Sequence, residues 1–140
     1  VLFAFEQVGG AEACLQSAID FATERHAFGR PIASFQAIKH KLADVYVGNQ
    51  LALSNAYFGA WALASGSDEL PLAAAVARVS ATEAYEHAAA ENVQVHGGMG
   101  FTWEADCHLF LRRSRSLALL IGDLGMWKKQ ITAEFERKVA

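Results

Sequence analysis

The segment Gln94-Val95-His96-Gly97-Gly98-Met99-Gly100-Phe101-Thr102 interrupts a chain that is otherwise rich in alanine and poor in helix breakers. Glycine at three of four consecutive positions ends a helix arriving from the N-terminal side, because glycine loses the most backbone entropy in a helix and accepts angles other residues avoid. It also lets a backbone lie against a ligand such as a diphosphate, with amide N–H groups turned toward the anion. Two phosphate-binding patterns are excluded. No strand precedes the glycines as in a GxGxxG dinucleotide fingerprint, and no GK[ST] follows as in a P-loop. Taken alone, the segment also reads as a flexible turn between helices.

On the N-terminal side of this segment, the pattern predicts a helix opening at Pro71, where a missing N–H costs nothing. It runs through Val76, Val79 and Ala90 to about Val95. Gly66-Ser67-Asp68 reads as the turn before it. A long helix is expected upstream, opened by Ser34 as N-cap and reaching Ser65. Its stripe is Phe35, Ile38, Leu42, Val45, Asn49, Ala52 and Ala56, spaced by three and four. The first helix is expected over Leu2 to His26, on Phe5, Val8, Leu15, Ile19 and Ala22, with Gly29 and Pro31 ending it. Gly9-Gly10 inside it costs about 1 kcal/mol per glycine against alanine, and reads as a close approach by a neighbouring helix or ligand. Beyond the glycine segment, Thr102 is expected to cap a short helix with Glu104 in its first turn. A last helix runs from about Asp123 to Lys138 on Leu124, Trp127, Ile131 and Phe135. The fold class is all-α: an antiparallel four-helix bundle with an additional short helix, one domain over residues 1–140.

Composition narrows the function classes. Hydrophobic residues make up 53% of the chain and charged ones 19%, enough for a core and too apolar for disorder. A net charge of −3 gives no basic face for nucleic acid. No apolar run approaches the roughly 20 residues of a membrane span. Cys14 and Cys107 stand far apart and match no paired-ligand spacing, which reads as reduced thiols. The five histidines show no metal pattern, so no metal is expected. Val1-Leu2-Phe3-Ala4-Phe5 lacks the charged start and cleavage site of a signal peptide and reads as the interior of a longer product. Expected locations are a bacterial-type cytoplasm or an organelle matrix, not secretion.

Two further segments carry candidate chemistry. In Arg25-His26-Ala27-Phe28-Gly29-Arg30-Pro31-Ile32, a cation ends a helix beside a tight loop. That suits either a capped helix end or a held phosphate or carboxylate. Phe35-Gln36 follows, with Gln36 able to offer an amide from a first helical turn. Together with the glycine segment, the pattern Arg-x-x-Phe-Gly-x-Pro-Ile, then Phe-Gln, then Gln-x-x-Gly-Gly-x-Gly-Phe resembles the acyl-CoA dehydrogenases over essentially all 140 residues.

The resemblance implies a C-terminal helical bundle, with the family's N-terminal helical domain and middle β-domain lying outside these residues. It implies FAD as cofactor, an acyl-CoA thioester as substrate, and electron-transferring flavoprotein or a similar acceptor as partner. It implies that Arg25 contacts the FAD diphosphate and Phe28 stands beside it. Gln36 lies near the adenosine end. Gln94, Gly97 and Gly98 wrap the adenosine diphosphate part of a neighbouring subunit's FAD, so the bundle also joins subunits of a homo- or hetero-oligomer. The 140 residues alone are expected to be inactive, because the domain covering the flavin is not among them.

In most members of the family a glutamate in a Glu-Gly-Thr segment removes the α-proton. Counting without gaps from Gln94 puts Ile121-Gly122-Asp123 there. Ile121 takes no proton, and Asp123 replaces the threonine that touches FAD; as a base it is a poor substitute, and so is Glu6. Three explanations stand: a base elsewhere, such as a glutamate upstream of Val1; a non-basic subunit whose partner supplies the base; or another flavin reaction on the same fold. The alternative from another class is a structural bundle that binds no cofactor.

Overall fold

The computed structural model describes residues 1–139. Three long helices come first along the chain: α1 (Leu2–Glu24), α2 (Gln36–Ser65) and α3 (Leu70–His96). Two shorter ones follow, α4 (Cys107–Leu120) and α5 (Leu124–Val139). Pro71 stands in the first turn of α3, as expected, and Gly66 ends α2 in the left-handed conformation at φ 63°.

Side-chain pairs fix the directions. Gln7 meets Thr82 and Gly10 meets Tyr85, so α1 and α3 run parallel. Lys41 pairs with Glu91 at 2.7 Å while Gly59 faces Ala77 and Ala73, which sets α2 antiparallel to α3. Arg115 pairs with Glu86, Lys128 with Glu83 at 2.6 Å and Lys138 with Glu69 at 2.8 Å. The chain thus returns along α3 in two pieces, α4 beside one half and α5 beside the other. The fourth rod of an up-down-up-down bundle is broken at residues 121–123.

α3 is the central helix, buried on nearly every side by the other four. Small residues make this possible. Ala4, Ala52, Ala56, Ala77 and Ala81 form one cluster in which three helices approach closely, and Leu15, Val45, Tyr85 and Leu117 fill a second. Gly10 belongs to this packing: a Cβ there would lie 2.5 Å from the Tyr85 ring. No helix among the described residues is long and apolar enough to cross a membrane.

Three local expectations are corrected. α1 stops at Glu24, and residues His26–Ala27 and Arg30–Pro31 form a two-residue hairpin. Ser34 does not cap α2: its hydroxyl donates to the Pro31 carbonyl at 2.7 Å within a short 3-10 turn, and Phe35 takes the cap position. Thr102 likewise turns back to the Met99 carbonyl at 2.9 Å, and α4 begins five residues later at Cys107. In both places the hydroxyl finds a nearer carbonyl than the helix amide it was expected to serve. Trp61 and Trp103 lie largely exposed.

Candidate functional site

Residues from both ends of the sequence pattern meet at one end of the bundle. Phe21, Arg25, Ile32, Val95, His96, Gly97, Gly98 and Met99 line an open cleft of about 500 Å³. Arg25 is the first residue off α1; its carbonyl accepts the Ile32 N–H at 2.8 Å, which closes the base of the hairpin. The backbone is therefore fixed while the guanidinium stays exposed at the cleft.

His96 closes the other wall. Its ring stacks on Phe21, centroids 4.2 Å apart, and its Nδ1 lies 2.9 Å from the Asn92 carbonyl. A carbonyl only accepts, so Nδ1 is the donor, and a ring with a single proton leaves Nε2 as an acceptor.

Two of the three glycines have a local reason to be glycine, and the third has none. Gly97 ends α3 at φ 58°, ψ −133°, a region closed to side chains. Gly100 is buried, and a Cβ on it would lie 2.7 Å from the Val93 carbonyl. Gly98 is exposed, and a Cβ on it would meet nothing within 4 Å. The chain's own packing therefore does not require glycine at position 98.

The hairpin tip is strained. Phe28 and Gly29 are its two central residues, both at positive φ, 54° and 78°. That is the type I′ geometry favoured by Asn-Gly, and a bulky residue there costs about 1 kcal/mol. The Phe28 ring is 96% exposed, so burial does not offset this cost. It touches Phe35 edge-on at 6.2 Å, and Arg30 lies over the Phe35 ring at 4.1 Å. Gln36 is exposed on the first turn of α2 and Gln94 on the last turn of α3; neither lines the cleft.

Ile121 and Asp123 stand elsewhere. Their turn is level with Arg78 and Glu83 of α3, on the order of 20 Å along the helix from Gly97. Ile121 is half-buried, and its carbonyl accepts the Trp127 indole N–H at 3.0 Å. Gly122 sits at φ 95°, and Asp123 Oδ1 accepts the Met126 N–H at 2.8 Å, capping α5. Glu6 is ion-paired with Arg113. The two carboxylates named from the sequence as substitute bases are thus both engaged.

Phe21 in the cleft went unmarked in the sequence, although it stands one helical turn before Arg25. A second unmarked group lies beneath the 121–123 turn: Arg78, buried, hydrogen-bonded to Gln7 and to the carbonyls of Leu117 and Ala118. The available signal was a lone arginine inside the apolar run Ala73 to Val79.

Comparison with known proteins agrees with this architecture. Residues 1–135 match the family described as acyl-CoA dehydrogenase, C-terminal domain. The chain is 46% identical over 121 residues to acyl-CoA dehydrogenase IpdE2 of Mycobacterium tuberculosis, covering 86% of this chain and 36% of that protein. It is 39% identical over 133 residues to acyl-CoA dehydrogenase FadE34 of the same organism, covering 94% and 19%. The structure of butyryl-CoA dehydrogenase from Megasphaera elsdenii superposes with a TM-score of 0.91 at 26% identity, over 95% of this chain and 34% of that one. The chain thus spans well under half the length of these relatives. On its sequence and its fold alike, the chain belongs to the acyl-CoA dehydrogenase family, at that family's C-terminal helical domain.

Proposed function

We propose that residues 1–140 are the FAD-holding and oligomerisation domain of a longer flavoenzyme that performs α,β-dehydrogenation of an acyl-CoA thioester. The observation that carries this reading is the cleft shared by Arg25 and the Gly97-Gly98 turn, with a glycine at position 98 that the chain's packing does not require. A guanidinium and close backbone amides suit a diphosphate, and the His96 acceptor suits a hydroxyl or amino donor beside it. When bound, FAD supplies the hydride acceptor. Arg25 and the glycine turn hold its adenosine diphosphate part, and both walls of the cleft address one and the same FAD, contributed by a neighbouring subunit. Phe28 lies on it from the hairpin tip, with Gln36 and Gln94 at the adenosine end.

The outer face of α2 supports the oligomerisation role. Tyr46, Val47, Leu51, Tyr57, Trp61 and Leu63 are each more than half exposed along one helix, an apolar strip of the kind buried between subunits. An electron-transferring flavoprotein or similar acceptor removes the electrons, in a bacterial-type cytoplasm or an organelle matrix. Ile121 favours a second reading for the proton step. With Asp123 and Glu6 both engaged, the base comes from residues outside 1–140 or from a partner chain, this subunit then being the non-basic member of a hetero-oligomer. The 140 residues alone are inactive on this reading.

The test is FAD titration into the full-length apoprotein. Arg25→Ala is expected to weaken FAD by about tenfold or more, from the worth of a charge-assisted hydrogen bond, and Gly98→Ala to weaken it by setting a methyl group between the backbone amides and the diphosphate. The unfolding midpoint without FAD should hardly move, since both residues are exposed. Full FAD affinity in both variants, or a full-length protein that takes up no flavin, would sink the reading.

A further inference from the structure

Arg78 lies in the middle of α3 and is 3% exposed, yet no carboxylate hydrogen-bonds to it among the described residues. A buried guanidinium without a paired anion is costly, so its surroundings must supply the compensation. Its Nη1 donates to Gln7 Oε1 at 2.8 Å. Its Nη2 donates to the carbonyls of Leu117 and, at 3.2 Å, Ala118. Gln7 is itself fully buried, and its amide donates to the Thr82 hydroxyl at 3.0 Å. Thr82 in turn donates to the Arg78 carbonyl at 2.8 Å. The orientation of Gln7 is thus set from both sides: oxygen toward Arg78, nitrogen toward Thr82.

Leu117 and Ala118 belong to the last turn of α4, where carbonyls have no further helical amide to accept from. They also carry the negative end of the helix dipole. Arg78 therefore supplies donors and opposite charge at the same point. Three residues later the chain turns at Ile121, and that turn is held from the other side by the Trp127 indole and the Asp123 cap.

We propose that Arg78 is a positioning residue: clamped by Gln7, it ties down the end of α4 and so sets where the 121–123 turn stands. That this turn borders a flavin and its substrate rests on the function proposed above; the clamp itself does not.

Hydrogen–deuterium exchange on the full-length protein tests this. Arg78→Met should speed exchange of the amides of residues 119–124 by about tenfold or more and leave those of residues 91–96 as they were. Arg78→Lys keeps a cation with three donors and should recover most of the protection. Gln7→Met leaves the arginine but frees it, and should loosen the same residues; it decides the matter if Arg78→Met does not fold. Unchanged protection in Gln7→Met, equal loss in Arg78→Lys and Arg78→Met, or loss spread evenly over all helices would each overturn the proposal. Bound-flavin absorbance is read in the same samples. A parent protein without flavin would defeat the proposed function, while the exchange pattern still decides the clamp.

Discussion

Phe28 is held in a conformation that its own side chain disfavours, at φ 54°, with its ring in solvent. Such strain persists where something outside the local fold uses it. Phe28→Asn relieves it, since asparagine tolerates the left-handed region, and should raise stability by roughly 1 kcal/mol in urea unfolding. An unchanged or lower midpoint would show that the hairpin is not strained at this residue. Single residues are also where the sequence was hardest to read. The three glycines of residues 97–100 look alike in a string of letters, yet one obeys a backbone angle, one a carbonyl 2.7 Å away, and one neither. Arg78 and Gln7 are polar letters on helices, and polar letters on helices ordinarily mean surface. Only the approach of α4 makes them an interior network.

At the scale of elements, helix existence and order were legible because the breakers are few and well placed: Pro71, Gly66 and the glycine segment. Helix starts were less so. Ser34 and Thr102 have the right side chain for a cap, but each finds a carbonyl three residues back, and that competition depends on turn geometry that residue identity does not specify. The hairpin after α1 is too short for any periodicity to reveal it. The reading of Gly9-Gly10 as a point of close approach holds for Gly10, which faces Tyr85, and not for Gly9, which faces open space. Gly10→Ala should therefore destabilise the bundle by about 1–3 kcal/mol through overpacking, despite the better helix propensity of alanine. Gly9→Ala supplies the control, expected to be neutral or stabilising. Thermal melts of the pair would separate packing from propensity, and equal shifts would remove the α1–α3 contact as the cause.

For the whole molecule, the interior is close-packed around α3 and holds groups that burial keeps protonated to higher pH than usual: the Cys14 and Cys107 thiols and the Tyr85 hydroxyl. Burial pushes the Cys14 thiol and the Tyr85 hydroxyl up to about 12 each, from ordinary values of 9.0 and 10.0. Above the ordinary values the unfolded chain has given up protons that the folded one retains. Stability is thus fully present below about pH 9 and declines as pH rises toward 12. Melting temperature should be level up to about pH 8.5 and fall above it, with a shallower fall in Cys14→Ala. A level profile to about pH 11 would show that these groups titrate normally in the folded state.

The parallel course of α1 and α3 has a consequence in time. Antiparallel neighbours such as α2 and α3 are joined by a short turn and meet as soon as they form. α1 and α3 point the same way, and their contact joins Gln7 to Thr82, 75 positions apart, so it closes a long loop before any contact repays the entropy. Our hypothesis is that this seam zips late, after the transition state. The penalty of Gly10→Ala should then surface almost wholly as faster unfolding, with the refolding rate nearly that of the parent in stopped-flow traces; slower refolding would place the seam in the folding nucleus instead.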